Sequence, residues 1–188
     1  MNPPAKTGLS TGAIVAIVLS AVFVLLCVLG ALAYSGFTRY LAAAKGAEAK
    51  ATVGAIARAA VAAYEQEGPD PATPHALCPS AAAVPADLRQ VSGVKYMSKQ
   101  SPGLDWDEPG WRCLRFRMET PQYYQYQYNQ GGNYLSSARA PGPRGFEVAA
   151  RGDLDGDGTT SLFTLTGEVG ANGILTLGEG PRMEREDE

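Results

Sequence analysis

The sequence has only one histidine, His75, and it lacks two motifs that mark common enzyme classes. No HExxH zinc-protease motif and no phosphate-binding Gly-Lys loop is present. A catalytic arrangement that depends on an imidazole would have to use His75, which lies among prolines in a predicted loop. We therefore expect a protein that is not an enzyme.

Basic charge is also scarce. The chain has 16 Lys and Arg against 19 Asp and Glu, a net charge of −3, and a pI near 5.3. Nucleic-acid-binding proteins usually carry a basic surface, so no nucleic-acid partner is expected.

Cysteine is limited to three residues, without a CxxC pair or a Cys/His cluster, which argues against a structural zinc site. Cys27 lies in an apolar run, whereas Cys78 and Cys113 lie in the more polar part of the chain. In an exported domain these two would form a disulfide, which would stabilise the fold by about 3–4 kcal/mol through loop closure. The alternative is a pair of buried free thiols.

What the sequence does contain is an uninterrupted apolar run over residues 13–34 without a charged residue. As a helix it would be about 33 Å long, enough to cross a bilayer. Residues 1–12 form a leader-like segment before it. A cleaved secretory signal with Lys6 as its basic region is the alternative. A cleaved signal agrees less well with the sequence, because the helical pattern continues past Tyr34.

The rest of the chain predicts a second half of this helix, a loop and a sheet. Residues 35–67 have an amphipathic, Ala-rich pattern that predicts a helix. Residues 68–110 are rich in Pro and Gly, which predicts a connecting loop. Residues 181–188 are predicted to form a solvated acidic tail. In between, residues 111–180 predict an antiparallel sheet of four or five strands. The candidate strands are 111–118, 124–128, 145–150, 161–166 and 173–177. The fold class is α+β, with a long transmembrane and amphipathic N-terminal helix packed on a small sheet.

The stretch after the apolar run has a distinctive order of residues. Phe37, Arg39 and Tyr40 are followed by Lys45, Glu48 and Lys50 within an Ala-rich helix. This order resembles the juxtamembrane region of type IV pilins and of the pseudopilins of type II secretion. The resemblance implies a pilin-like fold, with these six residues on an assembly helix. It also implies copies of the chain or other pilin-like subunits as partners, together with the inner membrane and its assembly machinery. The domain would lie in the periplasm, or on an extracellular filament after assembly.

The amino-terminal end departs from the pilin pattern. The resemblance places the processing junction at Gly12 and Ala13, and the family's membrane-embedded glutamate at Val18 or Ile17, neither of which is acidic. An unpaired carboxylate in lipid costs several kcal/mol, which favours docking onto a neighbouring subunit. Without it the helix can remain in the membrane. Three interpretations agree with this departure. The chain is a minor or tip subunit, an unprocessed relative, or a pilin-like protein that does not polymerise.

A candidate calcium loop follows the predicted strand 145–150. Asp153, Asp155 and Asp157 alternate before Gly158, and Thr159 and Ser161 occupy the next ligand positions of a calcium loop. The twelfth position is Thr164, so a complete site would need a further acid, such as Glu168, Asp105 or Asp107. The alternative is a strand-to-strand turn, which Asp-Gly pairs also favour.

Tyrosine alternates with glutamine over residues 124–128. Such a strand either covers a small core with its tyrosines or presents an aromatic face to a ligand, a surface or another subunit.

Two functions agree with these features. The first is a structural subunit, major or minor, of a type IV pilus-like or type II secretion-like filament that assembles through the N-terminal helix. The second is a membrane-anchored β domain, stiffened by calcium, that binds a partner without polymerising.

Overall fold

The fold is described from a computed structural model, which covers residues 10–66, 75–99, 105–132, 134–135 and 141–185. The chain divides into two compact units, Met1–Leu41 and Ala42–Glu188. Helix α1, Thr11–Glu65, has 55 residues and passes through both units without interruption. The leader-like segment up to residue 9 lies outside the described residues.

The first unit is the apolar part of α1. Thr11–Tyr34 is long and apolar enough to cross a membrane, with a mean hydropathy of 3.0 and none of its residues buried. A signal sequence has the same two properties. The helix begins two residues before the predicted run, and the Ser10 hydroxyl accepts a hydrogen bond from the Ala13 amide as an N-cap (3.3 Å).

The second unit contains the rest of α1 and an antiparallel sheet to which the described residues contribute six strands. The strands are β1 (Ala81–Val84), β2 (Gln125–Gln130), β3 (Gly145–Gly152), β4 (Ser161–Val169), β5 (Leu175–Leu177) and β6 (Arg182–Glu184). They lie in the order β1-β2-β3-β4-β5, and β6 also pairs with β4. The α+β layout expected from the sequence is therefore present.

The core lies between α1 and one face of this sheet. The helix contributes side chains at intervals of three and four residues, as an amphipathic helix does, and each strand contributes every second side chain. The residues are Ala49, Val53, Ile56, Ala57, Ala60 and Tyr64 from α1; Tyr124, Tyr126 and Tyr128 from β2 and the residue before it; and Phe146, Val148, Phe163 and Leu165 from β3 and β4.

Close packing within the sheet depends on a glycine. Phe146 on β3 lies opposite Gly167 on β4. A Cβ at Gly167 would lie 2.5 Å from the Phe146 ring, so the ring occupies the space that a side chain would need.

Residues 111–118, predicted as a strand, instead begin inside a short helix. Helix α2 spans Pro109–Leu114, with Pro109 in its first turn and Arg115 ending it in the left-handed conformation (φ 52°). Trp111 and Leu114, three positions apart, are both buried. Burial at this spacing suits a helical turn, and the imperfect alternation of the sequence did not reveal it.

The predicted connecting loop 68–110 is also more structured than expected. It contains β1 and two 3₁₀ helices, Leu88–Val91 and Asp105–Asp107. The outer backbone groups of Ala82 in β1 do not face a strand. The Ala82 amide donates to the Glu108 carboxylate (2.9 Å), and its carbonyl accepts from the Trp111 indole (2.9 Å). These two side chains close the edge of the sheet and explain how an Ala-rich segment is held as a strand.

Residues Arg182–Glu184 of the predicted acidic tail form β6 by pairing with Leu162–Thr164 of β4, and residues 186–188 lie outside the described part.

Cys78 and Cys113 form a disulfide with a Cα–Cα distance of 5.7 Å, which connects the segment before β1 to α2. The free-thiol alternative is therefore wrong.

Candidate functional site

The candidate calcium loop connects β3 to β4, and its first aspartate, Asp153, is buried and hydrogen-bonded. Asp153 is only 4% exposed. Its carboxylate accepts hydrogen bonds from the Ser92 hydroxyl (2.6 Å) and from the amides of Gly156 (2.8 Å) and Gly158 (3.2 Å). The Asp153 carbonyl also accepts from the Gly93 amide (2.7 Å), so the segment after the first 3₁₀ helix lies against the loop.

These contacts lower the pKa of Asp153, and the Ser92 hydrogen bond contributes most. Backbone amides of the loop act in the same direction, and burial opposes them. The carboxylate is therefore ionised at neutral pH, which is the form that binds a cation.

The other two aspartates are exposed and shape the loop. The Asp155 carboxylate accepts from the Asp157 amide (3.2 Å), and the Asp157 carboxylate accepts from the Thr159 amide (2.6 Å). One oxygen from each of the three carboxylates lies within 4.8 Å of the others. Three negative charges at this separation repel one another, so a bound divalent cation would stabilise the loop. Carboxylate oxygens are the hard ligands that calcium prefers, and the donor set fits that ion.

The further acids that the sequence offered as ligands do not join this cluster. Ser161 belongs to β4, is buried, and donates its hydroxyl to the Gly152 carbonyl (3.2 Å). Asp105 accepts from the Tyr96 hydroxyl (2.8 Å) and the Lys99 amide (2.6 Å). Glu168 lies near the far end of β4, opposite Gly145. Among the described residues, no fourth acidic, histidine or cysteine ligand joins the three aspartates.

Two charged residues expected on the assembly helix instead contact the sheet of their own chain. The Glu48 carboxylate accepts from the Tyr123 amide (2.9 Å) and the Tyr126 hydroxyl (3.2 Å). The Lys45 ammonium donates to the Leu154 carbonyl (3.3 Å) and lies 4.8 Å from the centre of the Tyr123 ring. Leu154 is part of the candidate calcium loop, so Lys45 connects α1 directly to that loop. These long-range contacts have no local signal in the sequence.

The other residues of the predicted assembly helix are placed differently. Phe37 and Tyr40 are exposed, at 60% and 71%. Lys50 is half-buried, and the Arg39 side chain lies outside the described part. Gly12 and Ala13, the processing candidates, lie in the first turn of α1.

The tyrosines of β2 form core rather than a binding face. Tyr124, Tyr126 and Tyr128 are completely buried. Burial raises the pKa of Tyr126, and the nearby Glu48 carboxylate raises it further. Of the neighbouring tyrosines, Tyr123 is half-buried between Lys45 and Lys95. The alternative prediction, that this strand presents an exposed aromatic face, is therefore wrong for the three buried tyrosines.

His75 lies beyond the end of α1 and contacts the helix terminus. Its Nδ1 is 2.6 Å from the Tyr64 carbonyl oxygen, and its ring lies 5.5 Å from the Tyr64 ring. A carbonyl can only accept, so Nδ1 carries a proton and caps one of the last carbonyls of α1.

Comparison of the chain with protein-family models, with curated proteins and with solved structures gives no significant match.

Proposed function

We propose that this chain is a subunit of a filament of the type IV pilus or type II secretion pseudopilin kind, held in the inner membrane before assembly. The observation that carries the proposal is helix α1. Its first 24 residues are apolar and exposed, and its second half is the core helix of a folded unit. A single uninterrupted helix with these two halves fits a subunit that moves from a bilayer into a helical filament core.

The apolar half requires a non-aqueous environment. Large apolar side chains along Thr11–Tyr34 are roughly half exposed or more, and a soluble monomer rarely leaves such a surface in water. A bilayer satisfies this requirement before assembly, and packing against the same helix of other subunits satisfies it afterwards.

The second half of α1 supports assembly through its small outward side chains. Ala43, Ala44, Ala47 and Ala51 are exposed while the opposite side of the helix is buried on the sheet. Small side chains allow neighbouring helices to approach closely. The Cys78–Cys113 disulfide supports a location outside the cytoplasm.

Mass spectrometry of filaments sheared from native cells tests the proposal. The chain should be present in the sheared fraction, and its first peptide, beginning near Ala13 or extending upstream, reports whether processing occurs. Ala51→Glu places a charge on the exposed side of α1 and should remove the chain from filaments while leaving the folded domain in the membrane fraction. Ala171→Glu, at an exposed position in the β4–β5 turn, is the matched control and should assemble normally. Equal amounts of both variants in filaments would contradict assembly through α1.

A second candidate is an anchored β domain that calcium stiffens and that binds a partner without polymerising. Two observations favour it: the three carboxylates within 4.8 Å, and the Lys45 contact that couples their loop to α1. The absence of an acidic residue at Ile17 and Val18 agrees with it as well. Recovery of the chain only from the membrane fraction, together with a calcium-dependent rise in thermal stability, would favour this candidate over the filament.

A further inference from the structure

A cavity of about 180 Å³ lies beside the carboxyl end of α1. We name it the helix-end cavity. Its lining includes Tyr64, His75, Leu77, Gln130, Arg144 and Val169. Its volume is that of about six water molecules at 30 Å³ each, which suits a small molecule rather than a drug-sized ligand.

The walls of the helix-end cavity are held in place by hydrogen bonds. The Tyr64 hydroxyl donates to the Gly173 carbonyl (2.9 Å), which fixes the β4–β5 turn. His75 is held on the Tyr64 carbonyl (2.6 Å), and the Val169 amide donates to the Arg144 carbonyl (3.0 Å). These bonds fix Tyr64, His75 and the backbone at Arg144 and Val169, so a ligand would spend little free energy on ordering these walls.

The chemistry of the lining favours an anion with an apolar body. Among the described residues that line the cavity, Arg144 has a permanent charge and none is Asp or Glu. Across the described part of the chain, no carboxylate forms a salt bridge with Arg144. A guanidinium presents a planar fork of donors that matches a carboxylate. Leu77, Val169 and the Tyr64 ring supply apolar surface beside it.

We propose that the helix-end cavity binds the carboxylate of a small organic acid, with Arg144 holding the carboxylate and the apolar part lying against Leu77 and Val169. The site is independent of the filament proposal, because it uses neither the apolar half of α1 nor the exposed alanines. The same chemistry is presented by a free aromatic acid and by the C-terminal residue of a peptide.

The test is amide NMR of the ¹⁵N-labelled full chain in detergent micelles, titrated with benzoate to tens of millimolar. Benzoate should produce saturable shifts at the amides of Val169 and Gly173, and neutral benzamide should not. Arg144→Gln should weaken benzoate binding at least about tenfold, and Arg144→Lys, which keeps the charge but loses the fork, should weaken it less. Arg112→Gln, at an exposed arginine on α2, is the matched control and should leave the affinity unchanged.

N-acetyl-leucine, titrated in the same way, separates the two sources of the carboxylate. Tighter binding than benzoate assigns the site to a peptide terminus, and weaker binding assigns it to a free aromatic acid; both support the proposal. Equal binding of benzamide, an unchanged affinity in Arg144→Gln, or no saturable shift with either acid would overturn it. Because Arg144 is exposed, its variants should keep the wild-type amide spectrum elsewhere.

Discussion

Replacing Glu48 with alanine should destabilise the folded unit, because its carboxylate joins α1 to the strand beside it. The change removes two hydrogen bonds, from the Tyr123 amide and from the Tyr126 hydroxyl. Tyr126 is completely buried, and the Thr52 hydroxyl is the hydrogen-bonding group that remains beside its own hydroxyl after the change. A hydrogen bond to a charged group contributes about 1.5–3 kcal/mol. We expect a loss of about 2–4 kcal/mol in the free energy of unfolding.

Two further variants divide this loss into parts. Glu48→Gln keeps an acceptor oxygen but loses the charge, and should cost about 1 kcal/mol. Tyr126→Phe removes the donor, so in a double-mutant cycle with Glu48→Ala the two losses should be less than additive, by about 1 kcal/mol. Glu65→Ala changes an exposed glutamate on the same helix and should alter stability by about 0.5 kcal/mol or less.

The measurement is urea unfolding of the full chain in a mild detergent, followed by near-UV circular dichroism. Trp106 and Trp111 are both buried with ring centres 4.7 Å apart, so their signal reports the packing of the folded unit. If Glu48→Ala and Glu65→Ala have equal effects, Glu48 does not hold α1 on the sheet. Its carboxylate would then be available for contacts outside its own chain.

Three other results are expected. Calcium should bind with measurable heat by calorimetry on the full chain, and Asp157→Asn should reduce that heat because it removes a carboxylate charge from the cluster; no heat from the unaltered chain at millimolar calcium would exclude the site. Burial raises the pKa of Tyr126 and of Tyr128 above the usual value of 10.0, so the folded state keeps protons that the unfolded state releases. Their contribution to the free energy of unfolding should be complete below pH 10.0 and should decline as the pH rises above it. A free energy of unfolding, measured in urea, that does not change with pH above 10.0 would contradict this linkage. Gly110→Ala would place a Cβ 2.6 Å from the Ser80 carbonyl oxygen, so it should cost about 1–3 kcal/mol in thermal unfolding, and an unchanged melting temperature would show that α2 can move away from β1.

The features that the sequence alone determined are those that depend on local patterns. The charge-free run 13–34 and the Ala-rich amphipathic stretch after it predict one long helix, and α1 spans Thr11–Glu65. Tyrosines at alternate positions predict a strand with one buried face, and β2 has that face in the core. The alternating aspartates predict a loop with converging carboxylates, because side chains two positions apart in a tight turn lie close together.

Tertiary structure alone decided which residues meet across long stretches of chain. β1 is a strand because Glu108 and Trp111 satisfy its outer edge, and β6 is a strand because β4 offers an unpaired edge; neither segment has a strand pattern of its own. Likewise, Lys45 reaches Leu154, 109 positions away, and thereby connects the helix to the aspartate loop. Backbone hydrogen bonding and burial of this kind depend on the packed fold, so propensity and periodicity along the chain carry no information about them.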